Sequence, residues 1–396
     1  MSIKKIAGII LLALIGALGI VIGLGIAMGI NAKSIVNIGR FIGAMSFIET
    51  QYVQEVEEEK LIDGAISGMV RALGDPHSVY LEPRLYSQLK ADTTGSFGGI
   101  GVYMGFKENE VYILGVIPDS PGEKVGLRAG DLILAVNSQP ISEIEPGEVA
   151  LKIRGEVGST VELLIHREGE ADKTYAITRD VIKVQTVAGK MLDDRLGYIR
   201  ISNFSENTGK EFKSVLGELE RDGLRGLILD LRQNPGGLIT SCVEIAQEIV
   251  PAGPIVSVIR RDGDKEVYMS TLDRAKFPIV VLLDQNSASA SELLSGALQD
   301  TKAAVVVGTK SYGKGSVQTV IPMFQDDGLK LTIAKYYTPL GRSIDGTGIQ
   351  PDVEVALDKP LTMTRELNVD SLDDAQVLKA EEILDGQIDA GKILFE

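Results

Sequence analysis

Hydrophobic positions divide the chain into stretches of different rhythm. Residues 6–30 contain no charged or polar side chain, and at about 1.5 Å per residue the run is long enough to cross a hydrocarbon core ~30 Å thick. Residues 1–32 are therefore expected to form a membrane anchor, with a cleaved signal peptide ending near Ala27-Met28-Gly29 as the alternative. Lys4 and Lys5 precede the run while Lys33 and Arg40 follow it, so charge leaves its orientation almost undecided. Over residues 33–94 the period becomes helical. Ile35, Ile38, Phe41, Ile42, Met45, Phe47 and Ile48 predict one buried face, and residues 56–73 repeat the habit behind Glu57-Glu58-Glu59. Gly74-Asp75-Pro76-His77-Ser78 reads as a turn, in which His77 is structural because no acid or ligand set accompanies it.

Residues 95–185 change again, to short alternating runs such as 111–117 and 132–137 separated by Gly and Pro, which predict a small β-rich domain. Beyond Thr186, short continuous apolar runs at 196–201, 227–231, 255–258, 279–283 and 304–307 predict buried strands. Helical stretches at 209–219 and 238–249 lie between them, so residues 186–353 are expected to be an α/β core. Residues 354–396 hold one helical pattern near 373–384 and are assigned as a C-terminal interaction region.

Chemistry concentrates where the run 279–283 meets Asn286-Ser287-Ala288-Ser289-Ala290-Ser291-Glu292. A buried strand turning sharply into a helix leaves a hydroxyl at the helix entrance, beside backbone N–H groups that favour developing negative charge. Ser287, Ser289 and Ser291 all lie in this cluster, and helix capping alone would account for Ser287 or Ser291. The two histidines, His77 and His166, sit far away in sequence in a turn and a strand-like run. Lys314, in Gly313-Lys314-Gly315, is the better base, and Gln318 four residues on would share its face in an extended segment. To accept a proton near neutrality a lysine must fall from about 10.4, which burial without a carboxylate partner supplies.

These residues resemble the carboxy-terminal processing (tail-specific) serine proteases, whose motif is a serine in an S-A-S-A-S-E turn, a lysine 25 residues on in G-K-G and a glutamine four further. Here the motif falls on Ser289, Lys314 and Gln318, and the resemblance extends from about residue 35 to about residue 353. It implies a multidomain α+β protein with a PDZ domain placed before an α/β core of the ClpP/crotonase-like type. It also implies an oxyanion hole from Gly236 or Gly237, in Asn234-Pro235-Gly236-Gly237, together with Ala290. The order of motifs in 95–185 likewise resembles a PDZ module, which takes a peptide as an added strand and its terminal carboxylate on a glycine loop. Gly98, Gly99, Ile100 and Gly101 are the candidates for that loop, and Arg154 aligns with an arginine that links ligand occupancy to the protease in some relatives. A homodimer, with the protease on the extracytoplasmic side of the membrane, follows from the same resemblance. Arg342 and Asp352 continue the family pattern and are expected to brace a loop.

Composition narrows the alternatives. With 396 residues and 44% hydrophobic content the chain can bury more than one core. Its formal net charge of −15 excludes a phosphate-neutralising surface and with it nucleic acid as a partner. Cys242 is the only cysteine, which excludes a disulfide framework or a cysteine zinc site, and it reads as a small buried apolar residue. No metal or organic cofactor is implied. The expected function is a membrane-anchored serine endopeptidase that binds protein C-termini and cleaves near them. The rivals are a membrane-tethered PDZ scaffold with a silent protease domain, an acyl-CoA enzyme and a trypsin-like PDZ protease, and the last lacks a His/Asp pair beside its serine.

Overall fold

In a computed structural model of the chain, the described residues are 32–107, 110–357 and 374–391. The candidate membrane run 6–30 lies outside them, and among them no helix is long and apolar enough to cross a membrane. The chain divides into two compact units, Met1–Tyr80 and Leu81–Glu396.

In the first unit α1 (Ala32–Gln51) and α2 (Glu58–Arg71) follow the helical periodicity, with Glu58 and Glu59 in the first turn of α2 where they complement the helix dipole. The buried face expected for α1 is not buried: Ile38, Phe41, Ile42, Phe47 and Ile48 are exposed. A 3.6-residue period dictates which residues share a face, not whether that face finds a cover. Next, His77 donates its backbone N–H to Asp75, and Tyr80, in the short strand β1 (Val79–Leu81), donates its hydroxyl to Asp63 of α2 at 2.8 Å.

The second unit opens with α3 (Pro83–Thr94), whose proline occupies the first turn and which ends at Gly95 with φ +65°. The β-rich part follows as β2 (Ser96–Gly99), β3 (Val102–Lys107), β4 (Glu110–Val116), α4 (Pro121–Lys124), β5 (Leu132–Val136), β6 (Gln139–Pro140), α5 (Pro146–Ile153), β7 (Thr160–His166), β8 (Lys173–Thr178) and β9 (Asp180–Lys183). One sheet runs β3-β4-β5-β7-β8, while β2 pairs with β9. In β7 the inward residues Val161, Leu163 and Ile165 are buried and alternate with more open neighbours, as a sheet with one wet face requires. Val149 and Ile153 of α5 close this core. Strand β3 is an edge of its sheet.

The remainder is α/β. Strands β10 (Val187–Met191), β11 (Leu196–Ile201), β12 (Gly226–Asp230), β15 (Ile279–Leu283), β16 (Ala304–Gly308) and β19 (Val353–Glu354) form a sheet in the order β10-β11-β12-β15-β16-β19, parallel except for β10. Every residue of β12 and β15 is buried, because helices cover both faces. On one face lie α6 (Thr208–Arg221), α7 (Ile239–Ile249) and α8 (Ala290–Asp300), packed on Leu227, Leu229, Val281 and Leu283. On the other lies α9 (Ala375–Asp389), whose Val377, Ala380 and Leu384 pack on Ile228, Val280 and Leu282. A second, antiparallel set of strands joins β13 (Gly253–Arg260) to β14 (Lys265–Ser270) and β18 (Gly328–Tyr337), and β18 to β17 (Ser316–Pro322). Of these four strands the hydrophobic pattern announces only β13.

Candidate active site

Neighbouring parallel strands deliver the candidate residues to one edge of the sheet. β12 runs into the loop holding Gly236 and Gly237, β15 into the serine turn, and β16 into the Lys314 segment. In open α/β sheets the carboxyl ends of the strands are where sites assemble.

Ser289 is the N-cap of α8, 7% exposed, with φ +53° and ψ −115°. A side chain held in that region stores on the order of 1–3 kcal/mol and persists only where its surroundings over-determine it. Here the surroundings are Glu292. Its carboxylate is fully buried, and one oxygen, Oε2, accepts the backbone N–H of Ser289 at 2.8 Å and that of Lys314 at 2.9 Å. The other oxygen accepts the Ser311 hydroxyl and the Gly313 N–H, both at 2.6 Å. The turn holding the serine and the loop holding the lysine therefore share a single carboxylate.

The glycine loop meets the same turn. Gly236 has φ +96°, and a β-carbon there would lie 2.6 Å from the Ala288 carbonyl, 2.8 Å from Ser289 Cβ and 2.9 Å from Ala290 N. Only glycine fits against the serine in this way. The Gly236 N–H donates to Asn234 Oδ1 at 2.8 Å, and a β-carbon on Gly237 would strike the Phe204 carbonyl. Asn234, fully buried, donates through Nδ2 to the Ile201 carbonyl of β11, and its own carbonyl accepts Ala288 N–H and the Ser291 hydroxyl, each at 3.0 Å. A second buried carboxylate, Asp284, accepts the N–H and the side-chain amide of Gln233, and also the Asn286 N–H and the Ser287 hydroxyl. Ser287 and Ser291 thus have structural partners on both sides of the turn.

Lys314 is half-buried. Lys314 lies two residues before β17 and Gln318 within it, where the pairing with β18 skips Ile333 of the partner strand. The Gln318 amide donates to Ser316 Oγ at 2.9 Å and Thr332 Oγ1 at 3.3 Å. Cys242 of α7 donates to the Ala290 carbonyl at 3.5 Å, and burial pushes its thiol up to about 12, so it is inert packing beneath the serine turn. His166 pairs with Asp172 at an exposed end of the β-rich domain. Arg342 binds Gln299 and Asp300, whereas Asp352 accepts from Gln299 and Val306, so both brace the end of α8 and do not pair with each other.

Sequence reasoning missed the buried charges behind the site. Arg232, 2% exposed, forks onto Asp230, which also accepts the Tyr198 hydroxyl at 2.6 Å. Burial alone would raise the Asp230 carboxyl, but the adjacent guanidinium outweighs it and holds the group below its usual range. The residues sit in D-L-R between a strand and a glycine pair, and that placement was the one signal they gave.

In the β-rich domain Gly98 accepts the Gly155 N–H, Gly99 ends β2, Ile100 is buried, and Gly101 has φ +74° with no room for a β-carbon beside Ser120. Arg154, the C-cap of α5, stacks 4.0 Å from the centre of the Phe97 ring. Phe97, Arg154, Asn203, Gln233 and Pro235 all line a cavity of about 320 Å³.

A serine on a strand-to-helix turn of a parallel sheet, preceded by a PDZ-like β-domain, defines a serine hydrolase of the PDZ-bearing kind. The same fold is found in a putative S41 protease from Bacteroides fragilis, at a TM-score of 0.51 and 17% identity, covering 81% of this chain and 90% of that one. Residues 195–355 match Peptidase family S41, 112–167 match the PDZ domain, and 29–84 match the activating protease CtpB N-terminal domain. The carboxy-terminal processing protease CtpB of Bacillus subtilis is 38% identical over 87% of this chain and 74% of its own length. A carboxy-terminal-processing protease of Bartonella bacilliformis is 38% identical over 80% of this chain and 75% of its own. The chain belongs to the S41 family of carboxy-terminal processing proteases, serine-type peptidases with a PDZ domain.

Proposed function

We propose that the protein is a membrane-anchored endopeptidase that captures protein C-termini on its PDZ domain and cleaves near them with a Ser289/Lys314 dyad. The observation that carries this reading is the shared Glu292 oxygen, which ties the serine turn and the lysine loop together although they are 25 residues apart. Neutral Lys314 takes the proton of Ser289 as the hydroxyl attacks the peptide carbonyl, and returns it to the leaving amine. Water, activated by the same amine, then releases the acyl group. Gln318 orients the amine through its amide oxygen. Ala290 N–H and Gly237 N–H receive the oxyanion, joined by Gly236 once its bond to Asn234 is exchanged.

Substrate reaches the site through the PDZ domain. The open edge of β3 accepts an added strand, and the loop Gly98-Gly99-Ile100-Gly101 takes the terminal carboxylate. Arg154, which lines the same cavity as Gln233 and Pro235, reports occupancy to the glycine loop. Residues 1–32 hold the protein in the membrane with the protease outside the cytoplasm. The uncovered apolar face of α1 supports a homodimer.

The test is cleavage by the full-length protein of an unstructured substrate with an apolar C-terminus, with products mapped by mass. Both Ser289→Ala and Lys314→Ala are expected to lower turnover by about 10³-fold or more while leaving peptide binding intact. Activity surviving in Ser289→Ala would remove the assignment. Binding without cleavage by the wild type would favour the tethered scaffold with a silent protease domain.

A further inference from the structure

The C-terminal helix carries none of the motif residues, yet it reaches the glycine loop through a buried cation. Arg232 lies one residue before Gln233 and two before Asn234, which binds both the Gly236 N–H and the serine turn. Two of its nitrogens are held by Asp230 within the same strand end. Its remaining terminal nitrogen donates to two acceptors on a segment 142 and 144 residues away: Asp374 Oδ2 and Gln376 Oε1, each at 2.9 Å.

Both acceptors are themselves fixed. The other oxygen of Asp374 caps α9, accepting the N–H groups of Gln376 and Val377 at 2.9 and 3.1 Å. Gln376 is 1% exposed and donates its amide to the Val355 carbonyl just beyond β19 at 2.7 Å. The N-terminus of α9 is thus built around the guanidinium, and Val377, Ala380 and Leu384 seat the helix on the sheet face beneath β12 and β15. A guanidinium buried to this extent with two donors directed at one segment depends on that segment for its orientation.

We infer that Asp374 and Gln376 are positioning residues of the protease, holding Arg232 and through it the loop Gln233 to Gly237 in the shape that receives the oxyanion. The inference rests on the proposed role of that loop. In this arrangement the C-terminal segment is part of the catalytic unit. Its docking sets turnover without touching substrate, so Asp374 and Gln376 govern kcat and leave KM to the PDZ domain.

The experiment compares full-length wild type with Asp374→Asn, Gln376→Leu and Gln376→Glu. Asp385→Asn serves as a control, because it breaks the partly exposed contact of the same helix with Arg195. Amide hydrogen exchange followed by mass spectrometry reads the peptide covering 231–238, and steady-state cleavage reads kcat and KM. Asp374→Asn and Gln376→Leu are expected to speed exchange in that peptide by about tenfold or more. They should also lower kcat by a similar factor at a KM within twofold of wild type, with unchanged exchange outside that peptide, the first turn of α9 and the Val355 segment they also hold. Gln376→Glu keeps an oxygen on Arg232 and should recover most of kcat, and Asp385→Asn should change nothing in the loop. Unchanged loop exchange, unchanged kcat, or a loss shared by the whole protein would overturn the inference. A failure of the site assignment itself is read separately, by activity that survives in Ser289→Ala, and loop exchange alone then reports on the brace.

Discussion

The PDZ sheet and the protease sheet each pin a loop with a buried aspartate and an arginine, but they treat their backbones in opposite ways. In the PDZ domain Asp131 is 1% exposed and its partner Arg167 is 17% exposed, one face of the sheet is wet, and β3 keeps an open edge. In the protease core Asp230 and Arg232 are 0% and 2% exposed, and the central strands have neighbours on both sides and helices on both faces. The first arrangement leaves the β3 edge free for the added strand that the proposed function places there. The second encloses its backbone on all sides, and under the proposed mechanism the N–H groups beside Ser289 then face a reacting atom instead of water. Binding needs a gap in the pairing, and catalysis needs a frame without slack.

The sharpest way to break this contrast is through its aspartates. Asp230→Asn is expected to cost about 3–5 kcal/mol of stability at neutral pH, because Arg232 is left buried without its anion. Asp131→Asn should cost less, its partner being nearer water. The sign with pH follows from the lowered Asp230 carboxyl: its contribution is present above the unfolded value of 3.8 and is lost as pH falls through the lower native value. Chemical denaturation across that range should therefore show wild type and Asp230→Asn converging in acid. Equal losses for both variants at neutral pH would mean that depth of burial is not what separates the two pairs.

Next in size is Gly236→Ala. The added methyl meets Ala288, Ser289 and Ala290 at once, and turnover is expected to fall by about 10²–10³-fold while peptide binding by the PDZ domain is retained. A smaller effect is expected from Gly101→Ala, whose methyl would lie 2.3 Å from Ser120 Cβ. It should weaken binding of a peptide with a free C-terminus by roughly tenfold, about 1.4 kcal/mol, and leave phosphonate labelling of Ser289 unchanged. The smallest expected effect is none at all. Cys242 should resist thiol reagents in the folded protein and react on unfolding, and early reaction would reveal a core looser than its burial indicates.

The hydrophobic rhythm carried much of the core. Strands were expected at 196–201 and 279–283 and occur at Leu196–Ile201 and Ile279–Leu283, because a strand buried on both faces leaves an unbroken apolar run. β14, β17 and β18 were not announced: their faces are partly exposed and mix charged with apolar residues, so neither period stands out. The serine turn and the lysine loop were legible as motifs. Their connection was not, because Glu292 reads as one acidic residue in a helix start until the Gly313 and Lys314 N–H groups are seen to point at it. Arg232 and Asp374 lay further out of reach, since a contact between segments 142 residues apart leaves no local signature. The exposed face of α1 marks the converse limit, a periodicity that was correct about the helix and silent about its cover.

The sharing of one Glu292 oxygen by Ser289 and Lys314 also bears on how the enzyme is made. A ribosome releases residues from the amino end, at about 5–20 per second, so the serine turn emerges before the segment that supplies its base, and both emerge before Asp374. Under the proposed mechanism a half-made chain holds a nucleophile with neither a proton acceptor nor a braced loop. Under that mechanism the dyad and its braced loop come together only after the segment around Asp374 has folded against Arg232.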